Sequence, residues 1–375
     1  MSKKVVLLNT GHYSLDDRVF YHQAKSLLKN GFEVTIISTK EDLVQTIDNI
    51  AISSYNDNCL SHREKINKII KHLNDLLPDT IICDTPLAVT SSSIYKRKHE
   101  VKIIYDVTEW YPSKKNLRNL YGISKFKKIV FLYIFNILAG LKSDSFIFGE
   151  HYKSLLFRVL FFLKPFLYLP YYPDLSYIEY YPLDKITNKI NLLYSGVINT
   201  DKGIDSVIKS IEIAGSKKPD VQFNLKIIGY FPTDEDRNHF TKLCSNIGEN
   251  VHFEINKFLP FIEFCKVIGN TNLFFDLRKI DVENNHCLPI KLFYYLACGR
   301  PVIYSNLRSI RKEIRNVDFG YLCNPNDNQL IANHIIDYIN HSELYDQHVA
   351  NALEVSRSKY NWKVIENGFI SFIEK

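Results

Sequence analysis

Aliphatic, β-branched runs alternate with helix-like stretches along the first hundred or so residues, and after two Tyr-Pro breaks the alternation starts afresh. No other feature constrains the fold as much. A parallel strand buried on both faces reads as an unbroken apolar run, and reaching the next parallel strand takes a crossover, usually a helix. In the first half Val5–Leu8 reads as a strand, Arg18–Asn30 as a helix closed by Gly31, Glu33–Ser38 as a second strand, and Thr80–Cys83 and Lys102–Tyr105 as two more. After Tyr172-Pro173-Asp174 and Tyr181-Pro182 the pattern repeats through Ile190–Tyr194, Gly203–Ala214, Phe223–Ile228, Val251–Phe253, Asn272–Asp276 and Pro301–Tyr304. The expected fold is α/β, with two Rossmann-like, doubly wound domains facing each other across a cleft and ligands at the C-terminal ends of the strands. The expected boundaries are an N-terminal domain over 1–173, a linker over 174–188, a C-terminal domain over 189–357 and a terminal helix over 358–375 packing back toward the N-terminal domain.

A chain of 375 residues is long enough for two domains that each bury a core. Hydrophobic residues at 46% and charged residues at 23% exclude a disordered chain, and a net charge of +6 is too modest to indicate a nucleic-acid partner. The seven cysteines form no CxxC pair and no cluster at zinc spacing, so reduced thiols in a cytosolic protein are expected, with no disulfide framework and no metal. Lys3-Lys4 precede only the short apolar run Val5–Leu8, which is too short for a signal peptide.

Two segments stand out. In HCLPIKLFYYLACGRPVIYS, His286 to Ser305, the residues Leu288, Leu292, Tyr295 and Leu296 recur at helical spacing, Pro289 suits a first turn, and Gly299 stops the helix before the strand Val302-Ile303-Tyr304. Unsatisfied N–H groups and Lys291 at the helix start make a candidate anion site; a core helix with a snorkelling lysine is the alternative. The other segment, Ile129 to Leu141, holds thirteen residues without a charge, preceded by Lys125, Lys127 and Lys128 and followed by Lys142. A second greasy run, Leu155 to Leu163, follows. Neither approaches the roughly 20 apolar residues needed to span a bilayer. They read either as interior helices or as a surface that docks on an anionic membrane through Lys125, Lys127, Lys128, Lys142 and Lys153, with Phe131 and Tyr133 inserting beside them.

In order and spacing the chain resembles the GT-B glycosyltransferases of the large retaining family, often called family 4, that builds bacterial surface polysaccharides. The resemblance runs from Asp17-Arg18-Val19 and Gly31-Phe32-Glu33-Val34 through Asp106-Val107-Thr108-Glu109-Trp110-Tyr111-Pro112 and Tyr194-Ser195-Gly196-Val197 with Asp201-Lys202-Gly203. It ends in the Leu288–Ile303 signature and Tyr360-Asn361-Trp362. The resemblance implies a glycosyltransferase that moves a sugar from a nucleotide-diphosphate donor to a polysaccharide or polyprenyl-linked glycan, such as a capsule or O-antigen. Such an enzyme is retaining, uses no metal or cofactor beyond the nucleotide sugar, and sits peripherally on the cytoplasmic membrane's inner face. It implies donor binding by Gly196, Lys202, His286, Pro289, Lys291, Leu292 and Tyr294, close backbone approach at Gly11, and catalytic or acceptor-side roles for His12, Asp106 and Glu109. The chain departs from the family at Tyr294, where a ribose-binding glutamate is usual, at His286, near which an acidic residue is common, at Val197 in place of an arginine, and at Thr108 in place of a histidine. A GT-B epimerase and a non-catalytic partner of a polysaccharide assembly complex are the alternative readings.

Overall fold

The computed structural model describes residues 2–109, 111–118, 120–183, 185–245, 247–314 and 318–375; Trp110 and Asp184 lie outside them. The chain forms two compact units, Met1–Tyr171 with Ile365–Lys375, and Tyr172–Val364. The first break thus falls two residues before the expected one, and residues of the expected 174–188 linker belong to the second unit. The terminal helix Trp362–Glu374 contributes to the first unit from Ile365 onward. There Ser26 Oγ donates to Glu366 at 2.8 Å, and Lys102 Nζ donates to the Phe372 carbonyl at 3.1 Å.

In the first unit the strands are β1 (Lys4–Asn9), β2 (Glu33–Ser38), β3 (Leu43–Ile47), β4 (Ile50–Ser54), β5 (Thr80–Cys83), β6 (Lys102–Val107), β7 (Ser145–Phe148) and β8 (Phe166–Tyr168). They form one sheet in the order β3-β4-β2-β1-β5-β6-β7-β8. Neighbours run parallel except β3 with β4, which are antiparallel. Four of these strands are those expected from their apolar runs. The β3–β4 hairpin is not, because β3 is largely exposed and lacks such a run. Its two-residue loop Asp48-Asn49 has positive φ at both positions, 50° and 63°, as a type I′ turn requires. The expected helix after β1 opens as a π-helical stretch, Asp17–Ala24, before turning α-helical over Lys25–Lys29, and buries Arg18, His22 and Gln23.

From β1 the chain passes to β2 on one side, and it returns later to β5 on the other. The loops leaving β1 and β5 therefore diverge and leave a crevice at the C-terminal strand ends. The second unit repeats this device. Its strands β9 (Lys189–Val197), β10 (Gln222–Tyr230), β11 (Val251–Asn256), β12 (Leu273–Asp276), β13 (Val302–Ser305) and β14 (Gly320–Cys323) are all parallel. Their order is β11-β10-β9-β12-β13-β14, so the loops diverge between β9 and β12.

Candidate functional site

At the β9/β12 crevice three cations come from three elements. Lys202 lies in the turn after β9, Arg278 follows β12, and Lys291 opens the helix Ile290–Ala297. Glycines set the approach. At Gly203, with φ 88°, a Cβ would stand 1.8 Å from the Leu277 carbonyl oxygen, so only glycine lets the Lys202 turn press onto the loop after β12. At Gly196, with φ 143°, a Cβ would stand 3.4 Å from Lys291 Nζ, which puts that ammonium over the end of β9. Tyr194 OH donates to the Val197 carbonyl at 2.6 Å and the Lys202 carbonyl at 3.2 Å, and Lys202 Nζ donates to Asn284 Oδ1 at 2.9 Å. Buried Asn284 in turn donates to the Lys279 carbonyl at 3.0 Å and the Asp201 carbonyl at 3.3 Å, tying the two loops together. Burial, and next the charge of Arg278, lower the pKa of Lys202. Arg278 Nε sits 2.9 Å from Asp276 Oδ1. Lys202, partly stripped of water and close enough to feel the charge of Arg278, marks a place that an anion would stabilise.

A second cluster lies at the β1/β5 crevice of the first unit. Asp84, which follows β5, accepts from the Thr10 and Gly11 N–H groups at 2.8 Å each and lies 3.0 Å from His12 Nδ1. A Cβ at Gly11 would stand 3.1 Å from Asp84 Oδ2, so Gly11 lets the carboxylate this close. Burial alone would lower the pKa of His12, but the hydrogen bond and charge of Asp84, with Asp16 and Glu109 behind them, raise it to about 9. Burial and the charge of Asp17 push Asp16 up to about 7. Glu109 is exposed. Asp106 is not available as an acid or base partner for it. Its buried carboxylate takes Arg18 Nε and Nη2 at 3.0 Å each and Gln23 Nε2 at 2.9 Å, so it holds the π-helical stretch against β6.

Residues 182–355 match the family model described as glycosyl transferases group 1. The second unit carries a glycosyl transferases group 1 domain. With that domain, the chain is a glycosyltransferase. No curated protein matches its sequence. Among solved structures, sucrose-phosphate synthase from Thermosynechococcus elongatus superposes with a TM-score of 0.72 at 13% identity, over 99% of this chain and 98% of that one. Anabaena HepE in complex with UDP-glucose gives 0.72 at 12% identity, over 99% of both chains. An Escherichia coli structure described as trehalose-6-phosphate bound with UDP-2-fluoro glucose gives 0.68 at 13% identity, over 100% of this chain and 99% of that one. At such identities the likeness establishes the two-domain α/β fold of the GT-B glycosyltransferases.

Several residues of this glycosyltransferase sit otherwise than expected. Pro289 is the N-cap, not the first turn, of Ile290–Ala297. Leu292 is fully buried and its N–H is taken by the Pro289 carbonyl at 3.2 Å, so it offers a ligand nothing polar. Tyr294 is 2% exposed, with its ring edge-on to Phe261 and Phe264 at 5.9 and 6.3 Å, in aromatic packing rather than in a polar ribose pocket. His286 ends the short helix Val282–His286, half-buried. Lys153, expected at a membrane surface, is buried, 3.2 Å from Glu150 Oε1 and donating to the Thr108 carbonyl. Lys125, Lys127, Lys142, Phe131 and Tyr133 are exposed, and Lys128 is half-buried over the Phe131 ring at 5.4 Å. Asp84, Arg278 and Asn284 were not singled out from the sequence; Asp84 meets Thr10, Gly11 and His12, and Asn284 meets Asp201 and Lys202, from far along the chain, while Arg278 pairs with Asp276 two positions before it.

Proposed function

We propose that this glycosyltransferase moves a sugar from a UDP-sugar to a glycan or polyprenyl-linked acceptor, with retention of configuration, in building a bacterial surface polysaccharide such as a capsule or O-antigen. The convergence of Lys202, Arg278 and Lys291 at the β9/β12 crevice carries this reading. UDP in the Anabaena structure and a UDP-sugar in the Escherichia coli one support the choice of base.

In the reaction the bond between the anomeric carbon and the β-phosphate oxygen breaks, the acceptor hydroxyl oxygen bonds to that carbon, and the acceptor proton leaves with the UDP. Negative charge grows on the departing diphosphate. Lys202, Lys291 and Arg278 stabilise it more in the transition state than in the bound donor, which lowers the barrier without a metal. His12, held protonated by Asp84, does not serve as a base at neutral pH. The acceptor lies at the inner face of the cytoplasmic membrane.

The test is UDP release from a panel of UDP-sugars on adding membranes that carry polyprenyl-linked glycans. Acceptor-dependent release with one donor is expected; no release with any donor, from protein that still binds UDP, contradicts the transfer reading.

A further inference from the structure

The helix Gly122–Lys142 is apolar around most of its circumference, yet one side alone meets its own unit. Leu132, Asn136, Ala139 and Gly140 are buried, and a Cβ at Gly140 would stand 2.4 Å from the Phe161 ring. On the other side Ile123, Val130, Ile134, Leu138 and Leu141 recur at helical spacing and are exposed. Just beyond the helix His151–Leu160, Phe162 and Leu163 are 76% and 84% exposed, and Val159 is 75% exposed. Lys164 fastens this turn to the C-terminal end of the longer helix. Its ammonium donates to the carbonyls of Gly140 and Leu141 at 2.8 Å and of Ser143 at 2.5 Å. The two apolar exposures are thus continuous at that end.

An exposed apolar surface of this extent marks a contact site, and its charge identifies the partner. Residues 122–142 and 151–164 contain no aspartate or glutamate. Lys125, Lys127, Lys142 and Arg158 stand exposed on them, while Lys153 and Lys164 are turned inward. Aromatic rings of Phe131, Tyr133 and Phe162 lie among the exposed cations. Among the described residues no helix is long and apolar enough to cross a membrane. Apolar side chains with aromatics and a rim of one sign suit the interface of an anionic bilayer, where the side chains enter the acyl boundary and the cations meet phosphates.

We infer that this face of the first unit docks on an anionic lipid bilayer, with Val159, Phe162 and Leu163 inserting and the exposed lysines and Arg158 on the headgroups. The inference gives the proposed membrane setting a specific surface, but rests on that surface alone. The test is flotation of the purified chain with phosphatidylcholine vesicles, with and without phosphatidylglycerol. UDP binding is measured on the same samples. Flotation only with phosphatidylglycerol, released by high salt, is expected. Reversing Lys125, Lys127 and Lys142 to glutamate, or changing both Phe162→Ser and Leu163→Ser, should lower the bound fraction by more than about tenfold with thermal unfolding unchanged. Absence of flotation at low salt, equal binding to both vesicle types, or a dimer that the Phe162/Leu163 change separates while vesicles stay bare would each overturn it. Protein that floats but binds no UDP sinks the proposed function and leaves the docking surface standing.

Discussion

Asp84 Oδ2 lies 3.0 Å from His12 Nδ1 and accepts the Gly11 N–H at 2.8 Å, so one carboxylate fixes both the loop and the imidazole that follow β1. With its pKa raised to about 9, His12 is an imidazolium at neutral pH. A group whose folded pKa is raised stabilises fully below its unfolded pKa, about 6.5, and that contribution is lost as pH climbs through about 9. Unfolding free energy should therefore fall by up to about 3 kcal/mol between pH 6.5 and 9, and Asp84→Asn should abolish most of that slope. Denaturant titrations at a series of pH values check this; an identical slope in the variant contradicts it.

Arg18 and Asp106 predict a stability effect. Asp106→Asn leaves a guanidinium buried beside a neutral amide, which should cost about 3–5 kcal/mol. Thermal unfolding reads the loss. A variant of unchanged stability with transfer abolished would return Asp106 to the catalytic group.

Tyr294 is buried with its ring against Phe261 and Phe264, so Tyr294→Phe should keep this packing and cost less than Tyr294→Glu, which buries a carboxylate with a penalty of several kcal/mol. Urea denaturation separates the two outcomes. Tighter UDP binding by a stable Tyr294→Glu protein would instead show that the ribose is read at this position.

What was legible in the sequence followed local regularity. Most core strands of both sheets announce themselves as apolar runs because parallel strands bury both faces, although the buried strand β7 was not among those expected, and the close approach expected at Gly11 is met by Asp84. The edge strand β3 was not legible, since an exposed strand has no such run and its sign is only the Asp48-Asn49 turn. Side-chain partners were less legible still. Asp84 meets His12 across 72 positions and Arg18 meets Asp106 across 88. Lys153 differs from exposed Lys142 by Glu150 three positions before it and by the Thr108 carbonyl, and only the latter partner is brought to it by the fold. The apolar stretch 129–141 was open to two readings because both faces of a helix can be apolar while only one is covered.

The central claim is that Lys202 and Lys291 meet a nucleotide diphosphate at the β9/β12 crevice, and calorimetric titration of UDP into the wild type, Lys202→Ala and Lys291→Ala tests it most directly. Each lysine should contribute a charged hydrogen bond of about 1.5–3 kcal/mol, a loss of roughly 10- to 150-fold in affinity per variant. Saturable binding by the wild type with losses of that size in both variants is the predicted result. Wild-type affinity in both folded variants, or no UDP binding by the wild type at all, would contradict the account.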